Sequence, residues 1–137
     1  MGICISDFFT WLANGKMPTP AEKYLQTAQR GKPRGQLNLG LCYYDGRDVP
    51  QDAAEAVRWF KLAARQGLAE AEFYVGRAYA TGKGAPKDCE SAYAWFERAA
   101  EKGHKEAIEW RSILMQEMTE DQIAEGLLLS KESAGRA

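Results

Sequence analysis

The chain is poor in the residues that crosslinks, metal sites and nucleophilic catalysis draw on. It holds three cysteines, Cys4, Cys42 and Cys89, and its single histidine is His104. An odd cysteine count without paired spacing argues against a disulfide framework. No C-x-x-C is present, so no zinc site is expected. One histidine cannot build a histidine metal cluster, and no nucleophile–base pair, acid pair or phosphate loop occurs at a workable spacing. The reading is therefore not an enzyme, with no cofactor and no metal, and an enzyme with an unrecognised site, built from carboxylates of different helices, stays as the remoter alternative. No apolar run approaches the roughly 20 residues that span a bilayer. The opening MGICISDFFTWLANGK lacks the basic stretch and small-residue cleavage site of a secretory signal, so cytoplasmic residence is the expectation. An excess of one charge is missing as well. The 18 Lys+Arg face 19 Asp+Glu for a net of -1, which predicts no nucleic-acid partner and no anionic membrane.

What is there is the composition of one soluble globular domain: 137 residues, 45% hydrophobic and 27% charged. The residues repeat. Shifting the chain by 36 positions superposes Gly40 on Gly76, Tyr43 on Tyr79, Gly46 on Gly82, Pro50 on Pro86 and Asp52 on Asp88. Ala56, Trp59-Phe60, Ala63-Ala64 and Gly67 likewise meet Ala92, Trp95-Phe96, Ala99-Ala100 and Gly103. No gap is needed, and a fixed period of this length is the mark of a stacked helical array.

Each unit reads as helix, loop, helix, turn. Leu39 and Tyr43 share one stripe of a first helix, helix A, which stops at Gly46. Gly40 and Gly76 sit mid-helix, where glycine costs about 1 kcal/mol against alanine, so close approach of a partner helix is expected there. Asp52 and Asp88 stand at N-cap positions, and Glu55 completes a D-x-x-E box with Asp52. Ala56, Trp59, Phe60, Ala63 and Ala64 then make a broad apolar face on a second helix, helix B, which Gly67 ends.

The pattern L-G-x-x-Y-x-x-G…P-x-D-x-x-x-A-x-x-W-F-x-x-A-A-x-x-G closely resembles the Sel-one-like repeat family, a longer-looped relative of the tetratricopeptide repeat. The resemblance implies an all-α fold, a right-handed α/α superhelix forming a short solenoid of about seven helices. The domain plan within 1–137 is then an N-terminal capping helix over 1–17, a partial repeat over 18–32, repeats over 33–68 and 69–104, and a partial repeat with a C-terminal capping helix over 105–137. Pro20–Arg30 reads as a lone helix B, capped by Thr19 and stopped by Gly31. Lys105–Glu117 reads as a third helix A in which Ser112 and Met115 replace Gly and Tyr. Thr119 to Gln122 is a capping box opening a last helix B over the open end, while Ser6–Asn14 seals the other.

The resemblance also implies function. Relatives are known mainly as interaction scaffolds and adaptors, with bacterial examples that include immunity proteins neutralising a toxin. A protein partner is therefore expected, bound on a concave helix-A surface, and adaptor and immunity roles stay open. Alignment carries the groove to Arg34, Asn38, Leu41, Tyr44 and Asp45 in the first unit, Glu70, Tyr74, Arg77 and Thr81 in the second, and Trp110 in the third. Leu37, Phe73, Glu109 and Ile113 are further candidates, Leu37 and Phe73 being equally readable as core. Cys42 and Cys89 do not follow the spacing of the disulfide-bearing relatives.

Other features are read more plainly. Trp59 and Trp95 recur at one repeat position and are read as packing. Phe8, Phe9 and Trp11 are read as part of the capping helix or, alternatively, as an exposed binding patch. Gly2 and Cys4 fit an acylation pattern, and a membrane partner is expected only if they are lipidated. Asp45–Asp52 lacks calcium-loop spacing. His104 is read as a solvated helix-start residue. Pairing of two copies through an exposed stack end is left open.

Overall fold

The computed structural model describes residues 12–134. Its helices are α1 (Pro20–Gln29), α2 (Pro33–Asp45), α3 (Ala53–Arg65), α4 (Ala69–Thr81), α5 (Cys89–Glu101), α6 (Lys105–Glu117) and α7 (Glu120–Ala134), and the described residues contain no strand. Each of α1 to α5 packs on the next, so the chain is a short all-helical solenoid. Of the expected N-terminal helix only Leu12–Asn14 is described, and it is helical. Gly2, Cys4, Phe8, Phe9 and Trp11 lie outside the described residues, and so do the readings placed on them.

Local chemistry sets the ends of these helices. The Thr19 hydroxyl accepts from the Glu22 amide at 3.2 Å while the Thr19 amide donates to Glu22 at 2.7 Å, a complete capping box ahead of Pro20. Asp52 and Asp88 cap α3 and α5, accepting from the amides of Glu55 at 3.1 Å and Ser91 at 3.2 Å. The expected reciprocal half of the Asp52 box is not made. The Asp52 amide donates instead to the Tyr43 carbonyl at 2.8 Å, as Asp88 does to Tyr79 at 3.0 Å, and Glu55 turns to Arg58. That amide ties helix B back to helix A across the loop, so it has no donor left for a box.

Within a unit, Phe60 and Phe96 are the buried centre of each A–B pair. They lie over Gly40 and Gly76, where an added Cβ would sit 2.7 Å from the ring of Phe60 or Phe96 respectively. Leu37 and Phe73 are 0% and 2% exposed. These two candidates are core, because their column of helix A faces the next unit. The third member of the column, Glu109, has no further unit to meet and is exposed.

The last helix departs from the expectation. It packs on α5, and not as a helix B on α6. The physical reason is the connection: Met118 and Thr119 alone join α6 to α7, where seven residues (46–52) join α2 to α3. The Thr119–Gln122 capping box does form, through bonds of 2.9 and 3.2 Å. α7 reaches α5 through Gly126, where a Cβ would lie 2.7 Å from Tyr93 Cδ1 and 3.2 Å from the Glu90 carbonyl. Tyr93 is itself buried, so the ring has little room to retreat. Gly126→Leu is expected to lift α7 from α5 while α2 to α5 stay folded. Amide exchange over 122–131 rises at least about tenfold, following the loss of more than roughly 1.4 kcal/mol of local stability. Unchanged exchange in that segment would refute the close docking.

Candidate functional site

The helix-A face is built by α2, α4 and α6, whose equivalent residues fall in columns 36 apart. Asn38, Tyr74 and Trp110 form one column, and Leu41, Arg77 and Ile113 another. Tyr74 is held by the core beneath it: its ring stacks on Phe60 with centroids 5.2 Å apart and lies 5.4 Å from Phe73. Burial, then the carboxylates Glu70 and Glu106, push its phenol pKa up. Trp110 lies edge-on to Phe73 at 6.0 Å and 5.9 Å from Phe96. These rings are therefore anchored from below, with only part of each open to solvent.

Three of the predicted residues come together across three units. The Arg77 guanidinium lies 5.9 Å from the Tyr44 ring centre and 5.6 Å from that of Trp110. A cation over an aromatic face is attracted by the ring quadrupole, and the guanidinium is the side chain best suited to it. Lys83, from the loop after α4, joins this group with its Nζ 3.9 Å from the centre of the Tyr44 ring. Beside Trp110 lies a recess lined by Ala80, Phe96, Trp110, Ile113, Leu114 and Glu117. Ile113 is 62% exposed at its rim.

The remaining predicted residues do not join the group. Arg34 and Glu70, 36 positions apart, neutralise one another in an exposed ion pair at 2.7 Å. Asp45 is drawn to Arg47 at 3.4 Å. Thr81 is exposed and spends its hydroxyl on the Arg77 carbonyl of its own helix at 2.9 Å. Asn38 and Leu41 are half-buried. Lys83 was not among the predicted residues, since a single loop lysine carries no periodic signal.

His104 departs from its reading as solvated. Its Nδ1 accepts from the Ala107 amide at 3.2 Å, which caps α6, and its ring stacks on Phe73 at 5.0 Å. Trp59 and Trp95 are half-buried, Trp95 with the Arg98 guanidinium 4.6 Å from its ring centre. Among the described residues no three His, Cys, Asp or Glu side chains gather where a metal could sit. Nor is any helix long and apolar enough to cross a membrane.

Comparison with known proteins places this architecture. No curated protein matches the chain. The solved structures similar over most of it include these two. One is c5321, a protective antigen present in uropathogenic Escherichia coli strains and displaying an SLR fold, at 30% identity over 85% of this chain with a TM-score of 0.78. The other is a Sel1 repeat protein from Oxalobacter formigenes, at 35% identity over 68% of this chain with a TM-score of 0.65. The chain spans 27% and 38% of those two proteins. The Sel1 repeat model matches residues 33–68 and 69–104, over half of the chain. With two such units stacked in register and solved relatives at this likeness, the chain belongs to the Sel1 repeat family.

Proposed function

We propose that the chain is a protein-binding module of the adaptor or scaffold kind, and that it grips its partner on a concave helix-A surface centred on Tyr44, Tyr74, Arg77 and Trp110. The observation that carries this reading is the convergence of Tyr44, Arg77 and Trp110 from three successive units on one patch. Tyr, Trp and Arg are the residues most enriched at interface hot spots, and rings already fixed by the core lose little freedom on binding. Arg34, Asn38, Leu41, Asp45, Glu70 and Thr81 form the surrounding rim.

The test is capture of a partner by the immobilised chain, with its identity read by mass spectrometry. Tyr44→Ser with Arg77→Glu should lose the partner while keeping the helical circular dichroism signal. Arg58→Glu on helix B, whose side chain is 78% exposed, should keep it. Retention by the first variant and loss by the second would move the site to the helix-B face.

A further inference from the structure

Charges of both signs lie along the helix-A face, with Arg34 and Lys105 at helix starts and Asp45 and Glu117 at helix ends. Glu70, Glu106 and Glu109 stand towards the starts of α4 and α6. Glu70 and Glu106 are close enough to Tyr74 to raise its pKa, with burial the larger cause. Arg77 and Lys83 stand at the opposite end, where the helices run out. The other arginines near the face are already matched, Arg34 by Glu70 and Arg47 by Asp45. Arg77 and Lys83 are not: among the described residues neither side chain has a hydrogen bond or an ion pair to a carboxylate. The Arg77 Nε is buried without an acceptor, and its guanidinium lies over the Tyr44 and Trp110 rings. Lys83 meets the same Tyr44 ring.

A ring face attracts a cation but accepts few of its N–H bonds. A guanidinium has five donors in a planar fork, and its strong match is a carboxylate. Two unmatched cations on one tyrosine ring offer two such places side by side. Next to them lies the apolar recess under Ile113.

We propose that this end of the groove takes paired acidic side chains of a partner polypeptide, one on Arg77 and one on Lys83, with an apolar side chain beside them in the recess at Trp110. The proposal rests on the helix-A face being the partner-binding surface, and it adds the chemistry of the partner. Two cations in place of one favour adjacent Asp or Glu side chains within a chain over a single terminal carboxylate.

The test uses the whole chain, labelled with nitrogen-15, and four short synthetic peptides. The first is acetylated and amidated Leu-Glu-Glu-Leu-Glu-Glu. The second and third carry Gln or Lys in place of Glu. The fourth is the Gln peptide with a free C-terminus. The Glu peptide should shift the Arg77 Nε–H and Trp110 indole N–H resonances, with affinity that falls as salt rises. Arg77→Gln with Lys83→Gln should weaken it about tenfold or more, at an unchanged melting temperature. Binding of the Gln or Lys peptide as tight as that of the Glu peptide would overturn the proposal. So would equal binding by the free C-terminus, an unaffected double variant, or no shift with the Glu peptide at millimolar concentration. None of those results touches the groove itself, which stands or falls with capture by the Tyr44→Ser, Arg77→Glu variant.

Discussion

Gly76→Leu should lower the melting temperature by about 10 °C or more, and Gly40→Leu should do the same. At Gly76 a single added Cβ already falls 2.7 Å from Phe96 Cδ1 and 3.3 Å from the Ala92 carbonyl; at Gly40 the distances are 2.7 Å to Phe60 and 3.1 Å to the Ala56 carbonyl. Phe60 and Phe96 are 1% and 0% exposed. Their rings are closed in on all sides, so the helices themselves must part. Overpacking of this kind costs about 1–3 kcal/mol and more where the backbone must move, out of a total stability of about 5–15 kcal/mol. At roughly 3–5 °C per kcal/mol for a domain of this size, 3 kcal/mol gives the stated shift. Even Gly76→Ala should destabilise, although alanine gains about 1 kcal/mol of helix propensity over glycine. The control is Ser112→Leu. Ser112 holds the same column in α6 but is exposed, because α7 has gone to α5 and no helix B covers it. That variant should melt within about 2 °C of the parent, as surface changes do. Parent-like melting of Gly76→Leu would remove the close-packing account of the recurring glycines.

The 36-residue register made the helix pairs, their caps and the two glycine contacts readable in advance, because each rests on chemistry within a few residues or on a pattern stated twice. The groove was readable only in part. Leu37 and Phe73 lie in the same alignment columns as true surface residues, and only the stacking of a further unit buries them. Glu109 in that column was the available clue, since a carboxylate suits a face that nothing covers. The course of α7 turns on a two-residue connection, too short to swing a helix B into place, and the repeat pattern does not encode it. By sequence Arg77 is one groove residue among several. Its place between Tyr44 and Trp110 joins three units, and no local spacing encodes that.

Glu72 shows the same limit in the core, and carries the second large effect. A carboxylate in the first turn of a helix reads as solvent-facing, yet Glu72 is 0% exposed. Lys102 Nζ lies 2.5 Å from its Oε1 and Arg98 Nε 3.4 Å from its Oε2. In the preceding unit the equivalent positions hold Gln36 and Gln66, whose Nε2 donates a hydrogen bond to the Gln36 Oε1 at 2.8 Å. Both partners change together between units, from two amides to an ion pair, at the same place in the A–B pair. Arg98→Met with Lys102→Met should therefore cost about 3–5 kcal/mol, because it leaves a buried charge without compensation. Glu72→Gln with Arg98→Leu and Lys102→Gln should cost under about 1 kcal/mol, since it installs the arrangement of Gln36, Leu62 and Gln66 that the first unit already uses. Lys102→Gln alone falls between, because Arg98 remains and the Lys102 side chain is 42% exposed. Urea midpoints of the three variants decide the matter. Should the two-glutamine variant lose as much as the two-methionine variant, the units would not be interchangeable at this position, and the pair would have a role beyond closing the A–B contact.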